Sequence, residues 1–230
     1  MTPLVLVPGM MCDARLFAPQ IAAFSAGRTI SIADASGSDN IAALAAQLLD
    51  EAPPRFALCG LSMGGIIAME VLRRAPERVE RIALLDTNPL AETDTVRAGR
   101  EPQIERANDG HLAEIMRDEM KPNYLADGPR KQEILDLCMD MALALGPEVF
   151  VRQSRALQTR RDQTDTLSAA RLPALVLMGA DDQLCPLHRH TLMHELLGGS
   201  ILEVIEGAGH LPTLEQPEHT NAALKRWLET

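Results

Sequence analysis

Aromatic rings are scarce in this chain: one tryptophan, one tyrosine and four phenylalanines among 230 residues. A core filled mainly by rings is excluded. The 11 methionines are expected to take over part of that filling, because an unbranched thioether fits irregular gaps. Positive charge is also in short supply. Lys and Arg number 22 against 32 Asp and Glu, a formal net charge of -10, which is the wrong sign for a nucleic-acid footprint. The acidic residues are scattered rather than gathered into a tail, so their expected effect is solubility. No apolar run approaches the roughly 20 residues of a membrane span. "MTPLVLVPGMM" has neither the basic start nor the unbroken apolar stretch of a targeting segment. Cys12, Cys59, Cys138 and Cys185 lie far apart and form no CxxC pair, so reduced thiols and a cytoplasmic location are expected.

What is present is apolar and regularly punctuated. Hydrophobic residues make up 46% of the chain, enough for one domain with a large core. "PLVLV" (Pro3–Val7), "TISIAD" (Thr29–Asp34), "RFALCG" from Arg55, "RIALLDT" (Arg81–Thr87), "ALVLMGA" (Ala174–Ala180) and "ILEVIEGA" (Ile201–Ala208) predict six strands. "SDNIAALAAQLLDEA", opening on a Ser/Asp cap, and "GIIAMEVLRRAP" predict helices between them, and "HTNAALKRWLE" predicts a closing one. Val-, Ile- and Leu-rich strands alternating with helices predict an α/β architecture, a mainly parallel sheet of about six strands covered on both faces. Residues 89–171 break the rhythm with helical stretches only. They read as a helical cap inserted between the fourth and fifth strands, with residues 1–88 and 172–230 forming the core.

In open parallel sheets, reactive groups gather where strands end at their carboxyl side. Three such ends carry candidates, in chain order. Gly60-Leu61-Ser62-Met63-Gly64 is a G-x-S-x-G match placed between a strand and an apolar helix. Ser62 there is either a plain helix cap or a nucleophile on a bend too tight for a Cβ two residues away on either side. Asp181 and Asp182 follow the fifth strand, in a turn that could be ordinary or could hold a histidine's tautomer. His210 follows the sixth strand, among the small residues of "GAGHLP". Asp86, ending the fourth strand, competes for the role of acid.

Taken together, "LVPG", "GLSMGG", "LLDT", "GADDQLCP" and "GAGHLPTLEQPE" resemble the α/β-hydrolases of the serine esterase, lactonase and C–C hydrolase kind, over nearly the whole chain. That resemblance implies Ser62 as nucleophile, His210 as base and Asp182 as acid, with the backbone N–H groups of Met10 and Met63 as the oxyanion hole. It implies a small-molecule substrate and no metal or organic cofactor. It also implies cleavage of a carboxylic ester, lactone or thioester through an acyl-enzyme; C–C bond hydrolysis, cofactor-free perhydrolysis and a non-catalytic binding role are the alternatives. The chain departs from the family in one turn, where Pro8-Gly9 replaces the common His-Gly.

Three weaker signals remain. Met10, Met11 and Met63 either line the pocket or fill the core. Arg152 and Arg155, within "VRQSRALQTRR", either grip a substrate carboxylate or form the wet face of a helix. His188, His190 and His194 crowd together, but only two of them share a helix face, so a solvated helix start is expected rather than a metal site.

Overall fold

The computed structural model describes all 230 residues. Six strands form one sheet: β1 (Leu4–Val7), β2 (Ile30–Ile32), β3 (Phe56–Leu61), β4 (Val79–Leu85), β5 (Ala174–Gly179) and β6 (Ile201–Ile205). Their order is β2-β1-β3-β4-β5-β6 and every pairing is parallel. All residues of β1, β3 and β5 are buried, which is why these segments are unbroken apolar runs rather than alternating ones. β2 and β6 are the edges: β2 is half-buried throughout, and β6 leaves Ile201 and Val204 exposed.

Side chains of successive strand residues point to opposite faces, and two cores result. Leu4, Leu6, Cys59 and Leu177 face one way, toward Phe17, Leu224 and Trp227; Val5, Val7, Leu58 and Val176 face the other, toward Leu44, Ile67 and Met193. Phe17 ends a 3-10 turn that leads into α1 (Ala18–Phe24), whose Ile21 and Phe24 pack against the same core; Leu44 and Ile67 lie on α2 (Ile41–Glu51) and α3 (Met63–Arg74). Asn40, not the Ser38-Asp39 pair, caps α2, its Oδ1 accepting from the N–H groups of Ala42 (2.8 Å) and Ala43 (3.2 Å). Cap chemistry is satisfied by whichever short polar residue has extended backbone directly before the first turn, and here that is the last of three candidates.

Between β4 and β5 run α4 (Asp94–Asn108), α5 (Leu112–Glu114), α6 (Lys131–Leu145), α7 (Pro147–Gln158) and α8 (Thr164–Ala169), with a π-helical stretch over Ile115–Met120. α6 and α7 send Ile134, Cys138, Met141 and Phe150 into the first core, so the helices of this stretch share their packing with the sheet. α4 has no counterpart in the sequence expectations: only Ile104 and Ala107 are buried along it, and Pro102 lies inside it. α9 (Leu187–Leu196), α10 (Pro212–Glu215) and α11 (Pro217–Glu229) complete the chain.

One buried carboxylate ties these layers. Glu70 on α3, 2% exposed, accepts from Arg73 (2.9 and 2.6 Å), Arg74 (2.8 Å) and, across to the loop before α8, Gln163 Nε2 (2.9 Å). Burial works to raise its pKa, but the bonds from Arg73, Arg74 and Gln163 outweigh it and bring the group from 4.5 down to about 2. A depressed carboxylate contributes stability that is whole above its unfolded pKa and lost as pH falls toward its folded one. The stability difference between wild type and Glu70→Gln, measured by urea unfolding, is therefore expected to be full at pH 7 and to close between about pH 4.5 and about pH 2. A difference that stays constant over that window would mean the group is not held ionised.

Candidate active site

Ser62 occupies the single residue between β3 and α3, with φ 56° and ψ -118°. Its side chain makes no capping bond to α3, so the helix-cap reading does not describe it. The bend brings three backbones together. A Cβ on Gly60 would lie 2.2 Å from the Gly64 carbonyl oxygen, and one on Gly64 would lie 1.9 Å from the Val7 carbonyl oxygen. Glycine is required at both positions. The strained backbone is pinned by four hydrogen bonds: the Ser62 N–H donates to Leu85 O (2.9 Å), and its carbonyl accepts from Thr87 Oγ1 (2.7 Å), Gly65 N (2.9 Å) and Ile66 N (3.3 Å).

The other two strand ends converge on this serine. His210 Nε2 lies 2.9 Å from Ser62 Oγ, and His210 Nδ1 lies 2.9 Å from Asp182 Oδ2. A carboxylate only accepts, so Nδ1 carries the proton and Nε2 is left to accept from the hydroxyl. Asp182 is in turn oriented by the amides of Leu184 (2.8 Å) and Cys185 (3.0 Å), both donating to Oδ1. Burial pushes its pKa up, but the His210 hydrogen bond and charge and those two amides prevail, holding the carboxyl below its ordinary value.

Asp86, the competing acid, makes no bond to His210. It is fully buried, with φ 43°; Oδ1 accepts from Gly179 N (2.9 Å) and Oδ2 has no partner. Burial first, then the nearby charge of Asp182, push its pKa well upward, which favours the uncharged acid. Asp181 is exposed.

Glu215, which the sequence reading passed over, holds the histidine loop. Its carboxylate accepts from Gly209 N (2.9 and 3.0 Å), Leu211 N (3.0 Å) and Ala126 N (2.8 Å), so one side chain grips both neighbours of His210 and a segment of the helical stretch. The His210 N–H also donates to Tyr124 O (2.6 Å). The signal for Glu215 was "HLPTLE", a carboxylate five residues after the histidine, closing a short helix.

A cavity of about 400 Å3 opens over the serine, lined by Met10, Ser62, Met63 and His210 and closed in part by Val96, Met120, Tyr124 and Leu157 from the helical stretch. The N–H groups of Met10 and Met63 donate to no protein acceptor. Met11 does not line the cavity: it is 1% exposed, in the core, and its N–H donates to Gln153 Oε1 (2.8 Å). Gln153 Nε2 donates to Ala35 O (2.9 Å), so a residue of α7 braces the Pro8-Gly9 turn.

Two further expectations are corrected. Arg152 and Arg155 do not reach the cavity, because α7 buries Val149, Phe150, Gln153, Ala156 and Leu157 and turns these arginines to its other face. Arg152 Nε donates to Ser36 O (2.9 Å), and Arg155 pairs with Glu101. His190 is not solvated. It is wholly buried where α9 packs on β5, neither ring nitrogen has a partner, and burial lowers its pKa to about 4, so it stays neutral. Asp182, Cys185 and His210 could offer ligand atoms within 4.8 Å of one another. The Asp182 oxygens are already engaged, however, and burial, then Asp182 and Asp86, raise the Cys185 thiol, so it is not a thiolate ligand.

A parallel sheet with a strained serine, a histidine and a carboxylate joined in series at its carboxyl edge defines an α/β class of protein, and the comparisons agree. A model described as "Alpha/beta hydrolase family" matches residues 4–223, and the chain belongs to that family. It is 30% identical to (E)-2-((N-methylformamido)methylene)succinate hydrolase of Acinetobacter baylyi, over 99% of this chain and 90% of that one. A thermophilic esterase from Thermogutta terrifontis superposes with a TM-score of 0.91 at 26% identity, covering 100% of this chain and 90% of that one. The biotin biosynthesis bifunctional protein BioHC of Cellvibrio japonicus is 24% identical over 99% of this chain, which spans about half (47%) of its length.

The geometry makes a spectroscopic prediction. The His210 Nδ1 proton should resonate far downfield in wild type, persist in Asp86→Asn and disappear in Asp182→Asn. Loss in Asp86→Asn alone would reassign the partner.

Proposed function

We propose that the chain is a serine hydrolase that cleaves a small carboxylic ester, lactone or thioester through an acyl-enzyme. The observation that carries this reading is the unbroken series Ser62 Oγ–His210 Nε2–His210 Nδ1–Asp182 Oδ2, with 2.9 Å at each hydrogen bond. His210 takes the hydroxyl proton as Ser62 Oγ adds to the carbonyl carbon, and Asp182 stabilises the imidazolium without accepting the proton. The oxyanion is received by the Met10 and Met63 N–H groups, which are otherwise unengaged. His210 returns the proton to the leaving alcohol or thiol. Water, deprotonated by the same imidazole, then frees the acid and restores Ser62.

Residues 89–171 act in this reading as a cap that shapes the acyl pocket, since Val96, Met120, Tyr124 and Leu157 all come from it. The cavity suits a small substrate; pockets of about 300–1,000 Å3 enclose drug-sized molecules. C–C bond hydrolysis and perhydrolysis would use the same residues and differ only in the acceptor or the bond placed over Ser62. A purely binding role would have no use for a proton relay with every member engaged.

The test is labelling and turnover on short p-nitrophenyl esters. A fluorophosphonate should modify Ser62 and no other residue, and Ser62→Ala should lower kcat at least about a thousandfold. Asp182→Asn should lower it about 1,000- to 10,000-fold through the wrong histidine tautomer, with Asp86→Asn far less affected. No adduct and no ester turnover would overturn the reading, and turnover that survives Ser62→Ala would move it to another nucleophile.

A further inference from the structure

The wall of the cavity has the opposite electrostatic sign to the rest of the molecule. In a chain with formal net charge -10, three guanidinium groups, Arg100, Arg160 and Arg189, line it against one carboxylate, Glu92. Glu92 stands just before α4 with its side chain 0% exposed. Arg100 Nε and Nη2 donate to it (3.0 and 2.5 Å), and Arg160 Nη1 donates to it from two residues beyond the end of α7 (3.0 Å). Arg160 Nε is taken by Leu90 O (3.0 Å).

That bonding leaves a specific remainder. The bonds of Arg160 run through Nε and Nη1 alone, so its second terminal nitrogen donates to no protein acceptor, on a side chain only 11% exposed. Arg189, half-buried on α9, makes no side-chain bond at all. One buried carboxylate cannot satisfy three forks, and a desolvated guanidinium is unfavourable until its donors are matched. Burial indeed lowers the Arg160 pKa, partly offset by Glu92. A structural ion pair would need only Glu92 and one arginine. The surplus faces the space where a substrate lies.

We propose that the cavity is built for substrates carrying a carboxylate at the end remote from the bond to be cleaved, held by the free donors of Arg160 and by Arg189. A planar guanidinium fork matches a carboxylate bidentately. Glu92 and Arg100 hold Arg160 in place rather than touching the substrate. The inference rests on the hydrolase reading for the meaning of "substrate", yet anion binding can be measured without turnover.

The experiment is calorimetric titration of the Ser62→Ala protein with monomethyl succinate, glutarate and adipate, each compared with the methyl ester of the monoacid of equal length. At least one half-ester should bind about tenfold or more tightly than its neutral counterpart. Arg189→Gln, whose native side chain has no hydrogen bond or ion pair within the protein to lose, should abolish that preference. Arg160→Lys, which keeps the charge that Glu92 needs but loses the fork, should reduce it. Equal binding of acidic and neutral esters, or a preference unchanged in both variants, overturns the proposal. So does inorganic phosphate displacing the half-ester as well as the free dicarboxylate does, because that would mark a general anion site. Acid-selective binding without hydrolysis by the Ser62 enzyme would leave the subsite standing and sink the hydrolase reading. Ester hydrolysis without acid selectivity would do the reverse.

Discussion

The left-handed backbone at Ser62 is the constraint on which the rest of this site depends. Such a conformation costs a non-glycine residue on the order of 1–3 kcal/mol. The four hydrogen bonds that pin it, at roughly 1 kcal/mol each, offset that cost. Those bonds come from three places: Leu85 at the end of β4, Thr87 two residues beyond it, and Gly65 and Ile66 in the first turn of α3. The serine can therefore be held out over the sheet edge only because β3 and β4 are in register and α3 starts without delay. Met11 and Asp86 are the other two non-glycine residues with positive φ, and they too lie beyond the carboxyl ends of strands, β1 and β4. Backbone strain in this molecule is concentrated at one place.

Around that bend the charges are arranged by depth. Asp182 is kept ionised by amides and an imidazole, while Asp86, with one amide and no counter-charge, is pushed toward its neutral form. Burial also keeps the neighbouring His190 uncharged, and neither of its ring nitrogens has a partner.

The six strands were legible because a strand buried on both faces has no polar residues to blur it. Ser62 and His210 stood out because each stands at a strand end among glycines or other small residues, whereas Asp182 was set apart from Asp181 and Asp86 only by the family resemblance. α4 was not, since a polar helix with an internal proline has almost no periodic apolar signal. Arg152 and Arg155 were singled out in place of Arg160 because composition shows a run of arginines without showing the phase of α7. Glu92 and Arg160 are 68 residues apart and meet only because α4 packs on α7. No local pattern encodes that meeting. Glu215 lay within a quoted motif, but its work is done through three backbone amides that a sequence does not display.

Gly209 draws this together. A Cβ there would lie 2.7 Å from Tyr124 O and 2.8 Å from Ala126 N, so the backbone on either side of the imidazole is pressed against the helical stretch. The aim of the ring is thus borrowed from residues some 80 positions upstream, as the 89-residue span between Ala126 and Glu215 illustrates. Lifting Tyr124–Ala126 away to widen the mouth would break the histidine's main-chain bond and unclamp Glu215 in one movement. A gaping molecule would be a disarmed one, with its proton acceptor set adrift until the roof is seated again.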